Sequence, residues 1–366
     1  MKFTVTREAL LKPLQLVSGV VERRQTLPVL ANVLLVLDDT HLSLTGTDLE
    51  VEIVARVELE QPGDSGELTV PARKLVDICR SLPDGAVLNF TEEDNRVILK
   101  SGRSRFTLST LPANDFPNVE QSQGDISFSC EQQDIKRLID RTSFAMAQQD
   151  VRYYLNGMLW EVQQGQLRAV ATDGHRLAMC TRAVSVNTAE VVHAILPRKG
   201  VIELSRLLEG DGNAEVVLGS NHIRVVTDGY TFTSKLVDGK FPDYERVLPK
   251  GGDKFVLGDR TELKQAFART SILSNEKYRG VRLLLNSGLL TIVANNPEQE
   301  EAEEQVVVDY SGDSLEIGFN VSYLQDVANV LSSETIKFTL SDTNSSALVE
   351  EPDGGDSVYV VMPMRL

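Results

Sequence analysis

Cysteine is scarce in this sequence of 366 residues, and the few cysteines form no pattern. Cys79, Cys130 and Cys180 are odd in number, widely spaced and outside any CxxC motif. This usage excludes a disulfide scaffold and fits a reducing cytosol. The four histidines include no pair at metal-ligand spacing, so we predict no metal site.

Long apolar runs are missing as well. The longest, Leu27 to Leu37, is interrupted by Pro28 and Asn32 and is far too short to span a bilayer. At the start, Arg7 and Glu8 stand where a signal peptide needs its apolar segment. We therefore expect a cytoplasmic protein without membrane contact.

Nucleotide-binding loops are also absent. The sequence has no GxxxxGK[ST] motif, and Gly210-Asp211-Gly212 lacks the third glycine of a dinucleotide-binding loop. Gly63-Asp64-Ser65-Gly66 copies a serine-protease nucleophile signature, but it follows Gln61-Pro62 and is predicted to be a turn. The sequence therefore predicts no cofactor.

What the sequence does contain is an internal repeat of about 125 residues. Thr47-Asp48-Leu49 recurs as Thr172-Asp173-Gly174 and, more faintly, as Asn295-Asn296-Pro297. Three such units account for the whole chain, and turn-forming residues place the boundaries near 120 and 250. We predict three similar domains, residues 1–120, 121–250 and 251–366.

Each repeat shows the same order of elements. A helical pattern precedes two short runs joined by hairpin turns: Val33 to Leu37 with His41 to Leu44, Met158 to Val162 with Gln166 to Val170, and Arg282 to Leu285 with Leu289 to Val293. A second helix follows, with stripes at Leu75, Ile78, Cys79, Leu82 and at Leu324, Val327, Ala328, Leu331. Two helices and roughly eight strands per repeat predict an α+β fold with helices on one face of antiparallel sheet.

Acidic residues outnumber basic ones, 53 to 37, for a formal net charge of -16. Taken alone, this argues against a nucleic-acid partner, since phosphate attraction normally shows as a basic excess. However, the outward faces of the predicted helices carry base at Lys12, Arg73, Lys74, Arg80, Lys136, Arg137, Arg141, Arg198, Lys199, Arg206 and Lys264. If these helices share one surface, that surface is positive within an acidic protein.

Charge also differs between the ends of the chain. The third repeat holds the densest acidic run, Glu298 to Glu304, whereas the first carries Arg96, Arg103 and Arg105. Opposite signs at opposite ends predict head-to-tail association of two copies. A domain of this size is roughly 35 Å across, so six in a ring leave a hole on the order of 35 Å, whereas three leave only about 5 Å. A B-form duplex, about 20 Å wide, passes only through the larger hole.

One segment has the composition of an enzyme site. Asp173 and His175, two residues apart, have the side chains needed for acid–base chemistry. Their counterparts in the other repeats lack the histidine, so a turn or a binding rim is favoured and a hydrolase stays as the alternative.

The whole chain resembles the bacterial β sliding clamps, the processivity subunits of DNA polymerase III. The stretches that carry the resemblance are Met1 to Val5, Leu42 to Glu50, Asp150 to Gly157, Ala171 to Leu177, Ser274 to Lys277, Ala294 to Glu304 and Val360 to Leu366. The family implies a dimeric ring of six domains, with helices lining a channel for duplex DNA, and a subunit that hydrolyses nothing. It also implies loading by an ATP-driven clamp loader. The polymerase III catalytic subunit, other polymerases and repair proteins then dock through short peptides and stay at high effective concentration.

In such a ring, basic channel walls attract phosphates without reading bases, and external acidity repels DNA, which reverses the first inference from net charge. The resemblance places duplex contacts at Arg24, Arg73, Gln149, Tyr153 and Tyr154.

The resemblance also implies a peptide cleft between the second and third domains. Its residues are Leu155, Thr172, Gly174, His175, Arg176, Leu177, Pro242, Arg246, Val247, Tyr278, Asn320, Tyr323, Ser346, Val360, Met362, Pro363, Met364 and Arg365. Tyr278 and Asn344 stand where we expect Phe and an apolar residue in close relatives, so Asn344 is left out of the cleft.

The dimer seam implied by the resemblance joins two sets of residues. One is Lys74, Ile78, Leu82, Arg103, Arg105, Phe106 and Leu108, and the other is Ile272, Leu273, Glu298, Glu300, Glu301 and Glu304.

Overall fold

The computed structural model describes residues 1–22, 27–117 and 124–365. Within them lie six α-helices and twenty-four strands, two helices and eight strands for each predicted repeat. The predicted α+β fold is therefore confirmed. The domain boundaries near 120 and 250 stay predictions.

The elements follow one order three times. The first third contains β1 (Lys2–Thr6), α1 (Arg7–Val17), β2 (Asn32–Asp38), β3 (His41–Thr47), β4 (Val51–Glu58), β5 (Gly66–Pro71), α2 (Ala72–Ser81), β6 (Val87–Glu93), β7 (Arg96–Ser101) and β8 (Ser104–Ser109). The second contains β9 (Ile126–Glu131), α3 (Gln132–Thr142), β10 (Gly157–Gln163), β11 (Gln166–Thr172), β12 (Arg176–Ala183), β13 (Val192–Pro197), α4 (Arg198–Leu207), β14 (Asn213–Leu218), β15 (His222–Val226) and β16 (Tyr230–Lys235). The third contains β17 (Lys254–Asp259), α5 (Arg260–Ser271), β18 (Gly280–Asn286), β19 (Leu289–Asn295), β20 (Glu301–Asp309), β21 (Leu315–Asn320), α6 (Val321–Val330), β22 (Thr335–Leu340), β23 (Ala347–Glu350) and β24 (Ser357–Val361).

The three predicted hairpins are present with the expected turn chemistry. β2–β3, β10–β11 and β18–β19 each close around a two-residue loop. One loop residue of each has a positive φ: Asp39 at 56°, Gly165 at 76° and Gly288 at 71°. A positive φ is what two-residue hairpin turns require, and Gly and Asp tolerate it.

Helices α1 and α5 begin at side-chain caps, and α2 and α6 each bury one stripe. The Thr6 hydroxyl accepts a hydrogen bond from the Ala9 N–H, and the Asp259 carboxylate accepts one from the Glu262 N–H at the start of α5. The predicted stripes are confirmed on α2, where Leu75 and Cys79 are buried, and on α6, where Leu324, Val327 and Ala328 are buried.

The chain forms two compact units. The first, Met1–Ile135 with Lys199–Leu236, holds a four-stranded sheet in the order β1-β6-β7-β8 and an eight-stranded sheet in the order β5-β2-β3-β4-β16-β15-β14-β9. The second, Lys136–Arg198 with Val237–Leu366, holds a twelve-stranded sheet in the order β13-β10-β11-β12-β24-β23-β22-β17-β20-β19-β18-β21.

Both large sheets run across the repeats. In the first unit β4 pairs with β16, and in the second β12 pairs with β24. Within the described ranges, no helix is both long and apolar enough to cross a membrane.

Candidate binding sites

The Thr172–Arg176 segment is a tight turn between β11 and β12. The Thr172 hydroxyl donates to the Arg176 carbonyl at 2.6 Å, and the Asp173 carboxylate accepts from the N–H groups of His175 and Arg176 at 2.9 and 3.1 Å. The same Asp173 carboxylate also accepts from the Arg176 guanidinium at 3.1 Å. Asp173 is thus committed to its own turn, which favours the turn or binding-rim interpretation over acid–base chemistry of Asp173 and His175.

The first repeat builds the same turn, whereas the third has a longer loop between β19 and β20 at the corresponding position. The Thr47 hydroxyl donates to the Val51 carbonyl at 2.9 Å, and the Asp48 carboxylate accepts from the Glu50 and Val51 N–H groups. In the third repeat the Asn296 side chain accepts from the Glu300 N–H at 2.9 Å. The sequence repeat therefore reflects a turn that the first two repeats share, as the favoured interpretation predicted.

Arg176 fixes this turn to neighbouring elements. Its guanidinium forms an ion pair with Asp326 on α6 and donates to the Phe144 carbonyl at 2.8 Å. It also stacks over the Tyr323 ring, 4.4 Å from the ring centroid. Arg176 and Tyr323, both predicted to line the cleft, are therefore in direct contact.

The chain terminus lies against the same turn. β24 pairs with β12, with Val360 opposite Leu177 and Val361 opposite Arg176. Beyond β24, the Met362 N–H donates to the His175 carbonyl at 3.0 Å, and the Met364 N–H donates to the Gly318 carbonyl at 2.9 Å. The structure thus brings the predicted segments 172–177 and 360–364 together.

An apolar floor lies beneath these segments. Leu155, Leu177 and Val360 are each no more than 2% exposed and belong to one core cluster with Phe241 and Tyr244. The next residues after Phe241 bring Pro242, Arg246 and Val247 to the surface. Of the predicted cleft, Leu155, Leu177 and Val360 are therefore floor, while Val247 and Met362 are open, at 44% and 43% exposure.

The remaining predicted cleft residues have separate local roles. The Asn320 side chain caps α6 by accepting from the Ser322 N–H at 2.9 Å. Tyr278 is 56% exposed, and the Lys277 ammonium lies 5.2 Å from its ring centroid. Ser346, Pro363 and Met364 are half-buried, whereas Gly174, His175, Arg365 and the excluded Asn344 are exposed.

The loop at 148–155 holds three of the predicted duplex contacts. Gln149 adopts a positive φ of 55°, and the Tyr153 and Tyr154 rings meet edge to face with centroids 5.7 Å apart. Val151 and Tyr153 are exposed, at 95% and 56%. Arg73 is exposed on α2, and Arg24 lies outside the described residues.

Sequence reasoning missed the role of Arg152 in this loop. Its guanidinium binds the Asp150 carboxylate at 2.8 Å and donates to the Asp173 carbonyl at 3.3 Å. The hydrogen bonds from Arg152 lower the pKa of Asp150 to about 2. Arg152 therefore links the tyrosine loop to the Thr172–Arg176 turn. In the sequence this role is indicated solely by Gly174, which has no side chain to block the Arg152 guanidinium.

Several helix residues predicted to form a basic surface are instead structural. The Arg137 guanidinium pairs with Asp356, and Arg141 is only 5% exposed and donates to the Ser332 hydroxyl at 2.7 Å. Lys199 binds Glu22 and Asp48. Ion pairs to acidic residues distant in sequence account for this difference, and no helical pattern contains them.

Four of the predicted seam residues of the first unit, Arg103, Arg105, Phe106 and Leu108, lie on or beside a free strand edge. Among the residues that the structure describes, β8 is the last strand of its sheet and pairs with β7 alone. Arg105 is exposed and Phe106 half-buried on β8, and Arg103 is exposed in the turn that precedes it. Lys74 is exposed and Ile78 half-buried on α2, whereas Leu82 and Leu108 are buried, at 8% and 7% exposure, and belong to the core.

The predicted seam residues of the second unit also border a free edge. β20 pairs with β19 over Glu301 to Val307, and β17 reaches only its last two residues. Ile272 is 75% exposed and Leu273 half-buried, while Glu298, Glu300 and Glu301 are exposed. Glu304 is already paired with Arg269, whose hydrogen bonds lower the pKa of Glu304. Sequence reasoning missed Val307, which is 75% exposed on β20.

The sequence matches the N-terminal, central and C-terminal domain families of the DNA polymerase III beta subunit over residues 1–120, 129–243 and 245–365. It is 66% identical to the beta sliding clamp of Pseudomonas aeruginosa and 57% identical to that of Escherichia coli K12, in both cases over the full length of both chains.

Solved structures agree with the sequence matches. The DnaN sliding clamp of P. aeruginosa bound to griselimycin superposes with a TM-score of 0.97 at 66% identity. The Bartonella birtlesii DnaN clamp bound to griselimycin gives 0.96 at 39% identity. Each comparison covers all of both chains.

Proposed function

Because the chain belongs to the DNA polymerase III beta subunit family, the sliding clamps, we propose that it forms a ring that encircles duplex DNA, and that separate surfaces bind the DNA, the partner peptides and the second copy. The protein is a non-catalytic processivity subunit that forms dimers and binds polymerases and other proteins through peptides in a cleft. The observation that carries this function is the match along the entire chain, in sequence and in fold.

Duplex contact falls to Arg73, Gln149, Tyr153 and Tyr154, together with Arg24. The exposure of Arg73 and Tyr153 supports this assignment, since phosphates and bases reach only side chains open to solvent. Lys264 adds positive charge. Lys12 and Lys136 are paired with Glu209 and Asp140, and Arg137, Arg141 and Lys199 also act mainly within the chain.

Partner peptides occupy the cleft over the Leu155, Leu177 and Val360 floor. Its rim consists of the 172–176 turn, the 242–247 segment and the 362–365 tail. The mixture of buried apolar floor and exposed methionine suits an adaptable peptide groove. We assign griselimycin, the molecule bound to both solved relatives, to the same cleft. The partners are the polymerase III catalytic subunit, other polymerases, repair proteins and the clamp loader.

Dimer formation joins the β8 edge of one copy to the β20 edge of the other. An open strand edge accepts a strand from a second chain, and the charges of Arg103 and Arg105 complement those of Glu298, Glu300 and Glu301. Exposed Ile272 and Val307 supply apolar area. The ring works in the cytoplasm, where replication takes place in bacteria.

Retention on circular DNA tests this function. Clamps loaded by a clamp loader onto a closed plasmid stay bound during gel filtration, because the ring is linked to the DNA topologically. Cutting the plasmid once releases them by sliding. Retention on linear DNA with free ends contradicts the sliding function.

A variant of His175 tests the abandoned hydrolase alternative. His175→Ala keeps the ring and its retention on plasmid, since the His175 backbone carbonyl still binds the Met362 N–H. It weakens griselimycin binding, because a side chain of the cleft rim is lost. A purified hydrolytic turnover that disappears in this variant contradicts the non-catalytic assignment.

A further inference from the structure

A row of polar side chains crosses one face of the twelve-stranded sheet. Glu161 on β10 stands directly opposite Arg168 on β11 and His193 on β13, and Arg168 stands opposite Thr181 on β12. The Arg168 guanidinium donates to Glu161 at 3.1 Å and to the Thr181 hydroxyl at 3.2 Å. His193 Nε2 lies 3.0 Å from the Glu161 carboxylate. The row is a connected network, not a set of separate surface residues.

The row borders the apolar floor of the cleft. Leu159 lies two residues before Glu161 and therefore on the same face of β10. Leu159 stands opposite Val170 and Ile195, and all three belong to the cluster that contains Leu155, Leu177 and Val360. One face of the sheet thus changes from apolar to polar within a single step of two residues.

The segment after β16 is fixed at this border. Phe241 and Tyr244 insert into the apolar cluster, and the Val237 N–H donates to the Ile195 carbonyl at 2.8 Å. The Tyr244 hydroxyl reaches past the cluster to Glu161, 3.1 and 3.0 Å from the two carboxylate oxygens, and accepts from Arg168 at 2.8 Å. Tyr244 is only 5% exposed.

Apolar contact alone does not fix the direction of this segment, because hydrophobic attraction is non-directional. Hydrogen bonds to charged groups are directional and stronger than neutral ones. A buried Glu161 charge that lost them would remain incompletely satisfied. The network therefore fixes the position of Tyr244. Arg246 and Val247 are in or directly after the Tyr244–Arg246 turn, so their positions depend on that of Tyr244.

We propose that Tyr244, Glu161 and Arg168 are positioning residues for the peptide cleft, holding the Pro242–Val247 rim at the distance from the floor that a bound peptide needs. This inference rests on the cleft assignment made above. None of the three is among the predicted cleft residues, and each acts through the rim and not by touching the peptide.

Griselimycin affinity measured by calorimetry tests the inference on the full-length dimer. Tyr244→Phe removes only the hydroxyl and leaves the ring in the apolar cluster. We expect it to weaken griselimycin about five- to tenfold, since a hydrogen bond to a charged group is lost. Glu161→Gln keeps an acceptor for Tyr244 and is expected to weaken binding less than Glu161→Ala.

Tyr310→Phe is the matched control. Tyr310 is 4% exposed, and its hydroxyl donates to the Asp313 carbonyl at 2.5 Å, outside the cleft. It should lower the melting temperature about as much as Tyr244→Phe while leaving griselimycin affinity within about twofold of wild type. Equal weakening by both variants contradicts a positioning role, because it assigns the effect to general loss of stability.

A double-mutant cycle with Val247→Ala separates this inference from the cleft assignment. If Tyr244 acts through the rim, the double variant weakens griselimycin binding by less than the product of the fold-changes of the two single variants. Strictly multiplicative effects overturn the positioning role. If Val247→Ala weakens griselimycin and Tyr244→Phe does not, the cleft stands and the inference fails. If wild type does not bind griselimycin, both fail, whereas retention on circular plasmid still supports the clamp.

Discussion

Gly174 shows how much a single residue decides at the cleft. Its φ of 89° lies in the left-handed region, which residues with a Cβ adopt only at a cost. A Cβ added there would also lie 2.9 to 3.0 Å from the Arg152 guanidinium. The same position in the first repeat is Leu49, which has a φ of 76°. The strained conformation is thus common to both turns, and the glycine at 174 is needed for the close approach of Arg152.

Replacing Gly174 by Ala tests that distinction. We expect Gly174→Ala to lower the free energy of unfolding by about 1 to 2 kcal/mol through backbone strain and also to weaken griselimycin, because Arg152 must move. Thermal unfolding and calorimetry measure the two effects. The matched control is Gly165→Ala, with a φ of 76° and no atom within 4 Å of the added Cβ. It should lose stability and keep its affinity for griselimycin; a similar loss of affinity would contradict the role given to Arg152.

At the scale of elements, the sequence pattern predicted those features that depend on residues close together in the chain. The α2 and α6 stripes and the three hairpins follow from side-chain spacing and turn residues, and the structure contains them. The pairings β4–β16 and β12–β24 were not predictable, because each joins strands from different repeats and no local spacing encodes the partner. The surroundings of Arg137 were not predictable for the same reason: its position on a helix predicts an exposed charge, and only the fold brings Asp356 to it.

The ion pair between Arg137 on α3 and Asp356 predicts a contact whose contribution to stability is lost in acid. Burial raises the pKa of Asp356, but hydrogen bonds from Arg137 and Ser357 outweigh it, so the pKa lies below its ordinary value of 3.8. A lowered folded-state pKa contributes stability above the ordinary value and loses it as the pH falls through the folded value. Asp356→Asn should be about 2 kcal/mol less stable at pH 7.

Urea unfolding from pH 7 to pH 2.5 measures this loss. The curves of wild type and Asp356→Asn should converge below pH 3.8. Asp84→Asn serves as control, since Asp84 pairs with Arg7 at 2.8 Å on a side chain that is 96% exposed; its curve should stay close to that of wild type. A constant gap between wild type and Asp356→Asn at all pH values would contradict the titration.

At the scale of the whole molecule, the free edges of β8 and β20 predict where two copies meet. The exposed residues beside β20, Ile272 at 75% and Val307 at 75%, have no apolar cover in the described part of the chain. Exposed apolar residues next to an unpaired strand are typical of a subunit interface. The sequence predicted Ile272 from family resemblance, while Val307 required the structure.

Substitution of Ile272 by Ala and Leu273 by Lys should separate the copies. Losing apolar contact and burying a charge at the seam are expected to raise the dimer dissociation constant roughly a hundredfold. Sedimentation velocity over a dilution series measures it. Val191→Lys is the control, because Val191 is 50% exposed and lies outside the predicted seam. A double variant that stays dimeric at the concentrations of wild type would contradict the assignment.

The pairing of β4 with β16 sets a condition on synthesis at the ribosome. It brings together residues such as Arg56 and Thr231, which are 175 residues apart and whose side chains are hydrogen-bonded. At 5 to 20 residues per second, the edge of β4 waits about 10 to 35 s for its neighbour. During that time the nascent chain exposes an unpaired strand, which is an aggregation hazard. We expect the charged residues of β4, Glu52, Arg56 and Glu58, to reduce this hazard in the nascent chain, before β16 covers the strand.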